Sequence, residues 1–438
     1  MIRKLTLGFD GLMQKYTPDP FIYALLLTVV VFVLGLSITH KSIVALAQEW
    51  GKGFWSLGPF TLQMVMILFL GHVVASAPLI KKSLIKLSYI PKNLNQAAAF
   101  AVCVAMLGSL FNWGFGLIIS ALFCKELGQR FNGKNFHILV ASSYAGFLVW
   151  HGGLSGSIPL VVSTPGNFTQ GLLGALVPLK DTIFSSVNIT ILVAHFIFLP
   201  LLCYLLMRYN SDDRSSTIKE EEDSAPILSA STPAEALENS ALVTALIVSI
   251  PLLYLSSGFI AGSLHVDLNL INLIFFVIAL VLHKTPREFL RASLHASEKI
   301  WPLLIQYPFY AGIMTIMQES GLAAAMSNWF VSISTNYTLP FFVYLSAGLI
   351  NIFIPSGGGQ WAVQGPMVIA AAQKLSADMN TTMMAVAWGD SWTNMIQPFW
   401  ALPILAIAGL KAKDIMSSLV YVFLMSGAIT SVCFLCLS

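Results

Sequence analysis

The chain has 438 residues, of which 56% are hydrophobic and only 10% charged. A soluble domain carries about 25% charged residues, so this composition excludes a soluble protein of this length. A net charge of +3 is too small to mark a nucleic-acid partner, and a mean hydropathy of +0.78 points to the lipid bilayer. The five cysteines lie in or beside apolar runs, and their odd number argues against a disulfide framework or metal site.

A helix that crosses the hydrocarbon core needs about 20 apolar residues. The first such run, 21–39, follows Arg3, Lys4 and Lys15. No small-x-small cleavage site follows it, so a retained first helix is expected rather than a signal peptide. A semi-polar stretch at 42–57 leads to a crossing at 60–80. Next comes an apolar stretch, 95–124, interrupted at Asn112-Trp113-Gly114-Phe115-Gly116. Crossings at 136–165 and 184–207 complete the first half. The strongly polar segment 208–240 contains Glu220, Glu221, Glu222 and Asp223, and reads as a flexible cytoplasmic linker. Beyond it lie crossings at 241–260, 268–282 and 301–320, with a semi-polar stretch at 287–299. A second interrupted stretch, 339–372, is broken between Asn351 and Trp361, and crossings at 381–409 and 415–437 follow.

Positive charge sets the expected threading, because cytoplasmic loops collect Lys and Arg. Lys81, Lys82, Lys86 and Lys92 precede 95–124, and Lys125, Arg130 and Lys134 follow it. Both ends therefore read as cytoplasmic, and the stretch as a re-entrant hairpin whose tip is buried in protein or faces a cavity. The stretch 339–372 has only Lys374 nearby and reads as a hairpin entering from outside. With the N-terminus inside, all but Lys41, Lys52, Lys180 and Lys374 of the 23 Lys and Arg fall inside or at the inner interface. The C-terminus comes out on the external, periplasmic side.

The two halves repeat one order of elements. The expected units are a first repeat at 1–207, a linker at 208–240, a connecting helix at 241–260 and a second repeat at 261–438. Pro59 and Gln63 match Pro302 and Gln306. Asn112 matches Asn351, the stretch 150–153 matches 388–391, and Pro159 matches Pro398. One unit starts inside and the other outside, so the repeats are inverted. The expected fold class is an all-α polytopic membrane protein with an inverted repeat, two re-entrant hairpins and broken transmembrane helices. That pattern belongs to secondary transporters, whose half-helix ends and unwound carbonyls form a midplane site.

Asp390, in Trp388-Gly389-Asp390-Ser391, is the clearest ionisable group at membrane depth. A charge there costs about 2.5–3.5 kcal/mol on insertion scales, so it marks a proton carrier or cation ligand. The alternative is an N-cap for a half-helix starting near Ser391. His151 sits at the matching break, where Gly152, Gly153 and Gly156 free the backbone. It could accept a proton or face a carboxylate, or simply satisfy a freed carbonyl. Ser155, Ser157, Ser391, Thr393 and Asn394 beside the breaks, and Asn112, Asn351, Ser356 and Gln360 at the hairpin tips, offer polar atoms to a carboxylate or cation. Their alternative role is to satisfy backbone groups within the bundle. Glu319 is expected at an interface. Tryptophans 113, 150, 361, 388, 392 and 400 gather near the breaks, as packing or as the wall of an acyl pocket. No transmembrane Arg is available to clamp a polyvalent anion, which favours a small monocarboxylate or a largely neutral substrate.

At these motifs the chain resembles the bacterial short-chain fatty acid transporters of the acetoacetate and butyrate uptake type. The resembling stretches are 16–21, 150–159, 354–361 (Ile-Pro-Ser-Gly-Gly-Gly-Gln-Trp) and 388–403. The resemblance implies an inner-membrane carrier of short-chain monocarboxylates that works by an elevator-type transition, as in the wider ion-transporter superfamily. It implies no cofactor and leaves the coupling ion open between H+ and Na+. Partners are the substrate and the bilayer, with a homodimer as an open option. Rival readings are a dicarboxylate or amino-acid carrier of the same architecture, a membrane enzyme and a channel. A basic residue at the site would favour the first, and no nucleophile motif supports the second.

Overall fold

The structure is a computed structural model that describes residues 20–38, 41–209, 232–352, 354–397 and 400–437. The N-terminal charges, motif residues 16–19, linker residues 210–231, Pro398, Phe399 and the final Ser438 lie outside the described residues.

The apolar runs become helices, and the order of elements repeats. The first half runs through a crossing (Pro20–Ile38), a short helix (Ile43–Gly53), a crossing (Gly58–Ala75) and a second short helix (Pro78–Ser88). Two hairpin arms follow, Leu94–Phe111 and Trp113–Arg130. The broken helix is Phe136–Ala145, a tighter turn of helix at Gly146–Gly152, and Ser157–Ser163. The half ends with Ser186–Arg208. The second half matches this with Leu268–His283, Pro286–Ser297, Trp301–Glu319 and Leu322–Ile333. Its hairpin arms are Leu339–Asn351 and Gly357–Leu375. Its broken helix is Met379–Thr393 with Leu402–Ala408, and Ala412–Leu437 closes the chain. Ala241–Ile260 connects the halves.

Local chemistry explains several boundaries. Pro59 and Pro302 both sit in the first turn of their helices, where the missing N–H would have no intrahelical partner. Asn112 alone divides the first hairpin, ending one arm and capping the next by accepting from Phe115 N at 2.9 Å. The described end of the polar linker is helical, not flexible coil. Thr232 and Glu235 form a reciprocal capping box that starts Pro233–Glu238, so orphan donors there are satisfied.

Contacts between distant segments put matching loop ends on common sides. On one side, Lys41 pairs with Glu319 at 2.9 Å, Gln63 donates to Asn269, and Gln373 donates to the Leu172 carbonyl. On the other, a ring nitrogen of His283 bonds the Val73 carbonyl. The Arg130 guanidinium bonds the Ser88 and Pro91 carbonyls, so both ends of the first hairpin lie together.

Burial separates the centre from the periphery. Pro20–Ile38, Ser186–Arg208 and Ala241–Ile260 expose most of their apolar surface, as lipid-facing helices do. The broken segment Phe136–Ser163 is buried almost throughout. Hairpins and broken helices therefore form the protein-enclosed centre, the only place where irregular backbone is tolerated at membrane depth.

The first hairpin closes tightly because Gly116 has no side chain. A Cβ there would lie 2.6 Å from the Ser109 backbone nitrogen. Gly116→Ala should cost about 1–3 kcal/mol through overpacking, read as a lower melting temperature in detergent. Gly171→Ala, whose methyl would meet open space, should leave melting unchanged.

Candidate functional site

The two broken helices meet through their ionisable residues. His151 Nδ1 lies 3.2 Å from Asp390 Oδ2, across 239 positions of chain, and both residues are buried. Ile158 N–H donates to the other ring nitrogen, Nε2, at 3.2 Å. A nitrogen that accepts a hydrogen bond carries no proton, so the network assigns the ring proton to Nδ1, facing Asp390. His151 is therefore a neutral imidazole donating to the carboxyl group.

Asp390 is not an N-cap. Met379–Thr393 begins at Asp378, whose side chain accepts from Thr381 N, and continues through Asp390. The break follows Thr393, and the next helix starts only at Leu402. Asp390 thus lies in the last turn, where the helix dipole disfavours a negative charge. Its electrostatic support comes from His151 instead. Its second oxygen, Oδ1, is buried without a partner among the described residues.

The second hairpin tip abuts this pair. A Cβ on Gly357 would fall 2.3 Å from His151 Cε1, and one on Gly358 would fall 2.2 Å from Phe60 Cζ. The glycine run therefore lets a helix N-terminus approach the imidazole from one side. Trp150 stacks on the His151 ring, with centroids 4.0 Å apart. Ser356 caps the tip helix, and its hydroxyl lies 2.9 Å from that of Tyr307.

The other expected site residues divide by their bonding. Asn112 is fully used, with Nδ2 donating to the Ile67 carbonyl and Oδ1 capping. Ser155 accepts from Trp113 N at 2.7 Å. Thr393 donates to the Gly348 carbonyl. These three tie the irregular segments together. Asn351 Nδ2 reaches the Asp390 carbonyl at 2.8 Å and Asn394 Oδ1 at 2.9 Å, which joins the second hairpin to the segment carrying Asp390. Gln360 donates to the Ala347 carbonyl and to Gln364. Unlike the first three, several residues keep buried polar atoms with no partner among the described residues. They are Ser157 Oγ, Ser391 Oγ, Asn351 Oδ1, Gln360 Oε1 and Asn394 Nδ2. Buried polar atoms are normally satisfied; of these residues, Ser391, Asn351 and Asn394 lie on the segment carrying Asp390 or bond to it.

Sequence reasoning missed Gln397, Tyr307 and Asn188. Gln397 donates to the Asn351 and Ile352 carbonyls and leaves Oε1 without a partner. Its position within 388–403 was the available signal. Asn188 is a single buried amide in an otherwise apolar run. Among the tryptophans, Trp392 and Trp361 donate to Phe423 O and Thr169 Oγ1 and act as packing anchors. Trp113 and Trp150 form an edge-to-face pair whose indole N–H groups have no partner among the described residues. Glu319, paired with Lys41 and half exposed, lies at a helix end as expected.

An all-helical membrane protein whose inverted halves meet over a buried polar site at paired helix breaks is a membrane transporter. The chain belongs to the short chain fatty acid transporter family, whose model matches residues 1–437. It is 38% identical over 433 residues to a "Putative short-chain fatty acid transporter" of Escherichia coli K12, covering 98% of each chain. A protein of the same name from Haemophilus influenzae is 37% identical over 426 residues, covering 95% of each. Among solved structures, the fold is similar to the Alcanivorax borkumensis YdaH transporter, described as having an unusual topology. The TM-score is 0.60 at 15% identity, over 95% of this chain and 98% of that one. Neisseria gonorrhoeae MtrF, from a class of antimetabolite efflux pumps, also gives 0.60 at 15% identity, over 98% and 97%.

The Gly357 approach can be tested by coupling. Gly357→Ala should lower the melting temperature in detergent by displacing the imidazole, at a cost of about 1–3 kcal/mol. In a His151→Ala background the same change should cost much less, because the obstructing ring is gone.

Proposed function

We propose that the protein takes up short-chain monocarboxylates, such as butyrate or acetoacetate, together with a proton. The observation that carries this reading is the His151–Asp390 contact at the junction of the two halves. His151 is neutral in this arrangement, so one proton on Asp390 removes the net charge of the pair. A monocarboxylate entering with one proton likewise moves no net charge. Among the described residues, His151 is the basic group that faces Asp390, and no Lys or Arg pairs with it. A dicarboxylate would lack a cationic clamp in such a site.

Family membership and the names of the relatives support the substrate class. The proposed location is the bacterial inner membrane, with the N-terminus and linker cytoplasmic and the C-terminus periplasmic. The positive charge of the 81–134 region supports that orientation. In an elevator-type cycle, the buried hairpins and broken helices would move as a unit, with Ser186–Arg208, against Pro20–Ile38 and Ala241–Ile260. Transport rather than catalysis is the proposed activity.

Sodium coupling is the second reading. Asp390 Oδ1, Asn351 Oδ1, Gln360 Oε1 and Gln397 Oε1 are buried oxygens without partners among the described residues, and a hard cation takes oxygen ligands.

Asp390→Asn separates the readings. If Asp390 carries the proton, the amide mimics its protonated form. Exchange of butyrate across proteoliposome membranes should then persist while accumulation against a gradient is lost. If Asp390 ligates sodium, sodium affinity should fall, and sodium and butyrate should lose the same coupling factor for each other. Accumulation equal to wild type at equal protein abundance would remove Asp390 from the mechanism.

A further inference from the structure

Asn188 lies in the first turn of Ser186–Arg208, a helix whose remaining surface faces mostly outward. Its side chain is fully buried and every polar atom of its amide is used. Nδ2 donates to the Gly152 carbonyl at 3.0 Å and to the Ile183 carbonyl at 2.6 Å. Oδ1 accepts from Trp388 Nε1 at 2.8 Å. Gly152 follows His151 directly, and Trp388 precedes Asp390 by two residues on the same helix. One amide from a third element therefore grips both segments that present the ionisable pair.

The surroundings leave this grip little freedom. A Cβ on Gly152 would lie 2.9 Å from Asn188 Oδ1 and 3.0 Å from Trp388 Cζ2. Trp388 is also stacked on the His195 ring, with centroids 5.2 Å apart at 18°. His195 Nδ1 is engaged with the Ile191 carbonyl at 2.7 Å, so this ring is itself held on Ser186–Arg208. Asn188 and His195 thus fix the indole from one helix, seven residues apart, which is two turns on one face.

We infer that Asn188 is a positioning residue that holds His151 against Asp390 and so couples proton entry to substrate movement. This rests on the proton reading above. The physical reason is geometric. The His151–Asp390 contact is a single hydrogen bond at 3.2 Å between two separately broken helices. Gly152 ends the tighter helical turn Gly146–Gly152, after which the backbone becomes extended at Gly153, so no continuous α-helix frames that distance. Tying Gly152 O and the Trp388 indole to one rigid amide does set it.

The test compares accumulation of radiolabelled butyrate under a proton gradient with butyrate exchange, using full-length protein in proteoliposomes. Asn188→Ala removes the grip entirely. Trp388→Phe keeps an aromatic body but removes the indole donor, which serves if the first variant folds poorly. In Trp388→Phe, which loses one buried hydrogen bond, the ratio of accumulation to exchange should fall about tenfold, and in Asn188→Ala at least as far. In an Asp390→Asn background, neither change should lower the ratio further. A wild-type ratio in both variants beside an impaired Asp390→Asn would overturn this inference alone. A parallel fall of accumulation and exchange in both would also overturn it, because Asn188 would then be a structural tie only. Wild-type accumulation by Asp390→Asn would instead remove the proton reading and this inference with it.

Discussion

The arrangement depends on a carboxyl group buried at the end of a helix, inside a membrane protein, with an imidazole as its hydrogen-bonding neighbour. Asp390 lies in the last turn of its helix, where the dipole opposes a negative charge, and a charge at membrane depth is costly. The contact with His151 supplies that support, and it exists only when the two inverted halves are correctly joined. The same contact ties protonation to architecture. A proton added to Asp390 changes the electrostatics at the interface between the repeats rather than at an isolated side chain.

The surrounding elements follow from that requirement. Irregular backbone brings His151 to the junction, so its freed carbonyls and N–H groups need partners in a medium that offers none. Asn112, Ser155, Asn188 and Asn351 provide them, each bridging segments distant in sequence. Glycine at 357 admits the second hairpin tip to the imidazole, and Trp150 covers the ring. Among the polar atoms left without a partner in the described residues, those of Ser391, Asn351 and Asn394 belong to the segment carrying Asp390 or to residues bonded to it. The lipid-facing helices take no part in this network except through a few buried polar residues, such as Asn188 and His195.

Much of the architecture was legible in the sequence because lipid imposes simple rules. Run length marked the crossings, and the shared order of breaks marked the repeat. His151 and Asp390 stood out because ionisable groups at membrane depth are rare. Their contact was not legible, since it joins positions 239 apart and depends on how the halves dock. The helix through Asp390 was also hidden. Gly389 and Ser391 resemble a break, yet Gly389 instead allows close packing on the Tyr344 carbonyl, where a Cβ would lie 2.4 Å away. Gln360 and Asn112 looked equivalent as tip residues, but only tertiary hydrogen bonds show that Asn112 is spent on capping while Gln360 keeps a free oxygen. Asn188 carried no motif at all.

Proteoliposomes containing the wild-type protein provide the most direct test of the central claim, that substrate movement is tied to protonation at this junction. Radiolabelled butyrate uptake would be followed under an imposed proton gradient and, separately, under an imposed sodium gradient, each at zero membrane voltage. The account predicts transient accumulation above equilibrium with the proton gradient and simple equilibration with sodium. Accumulation driven by sodium at equal pH on both sides, with none driven by protons, would contradict it.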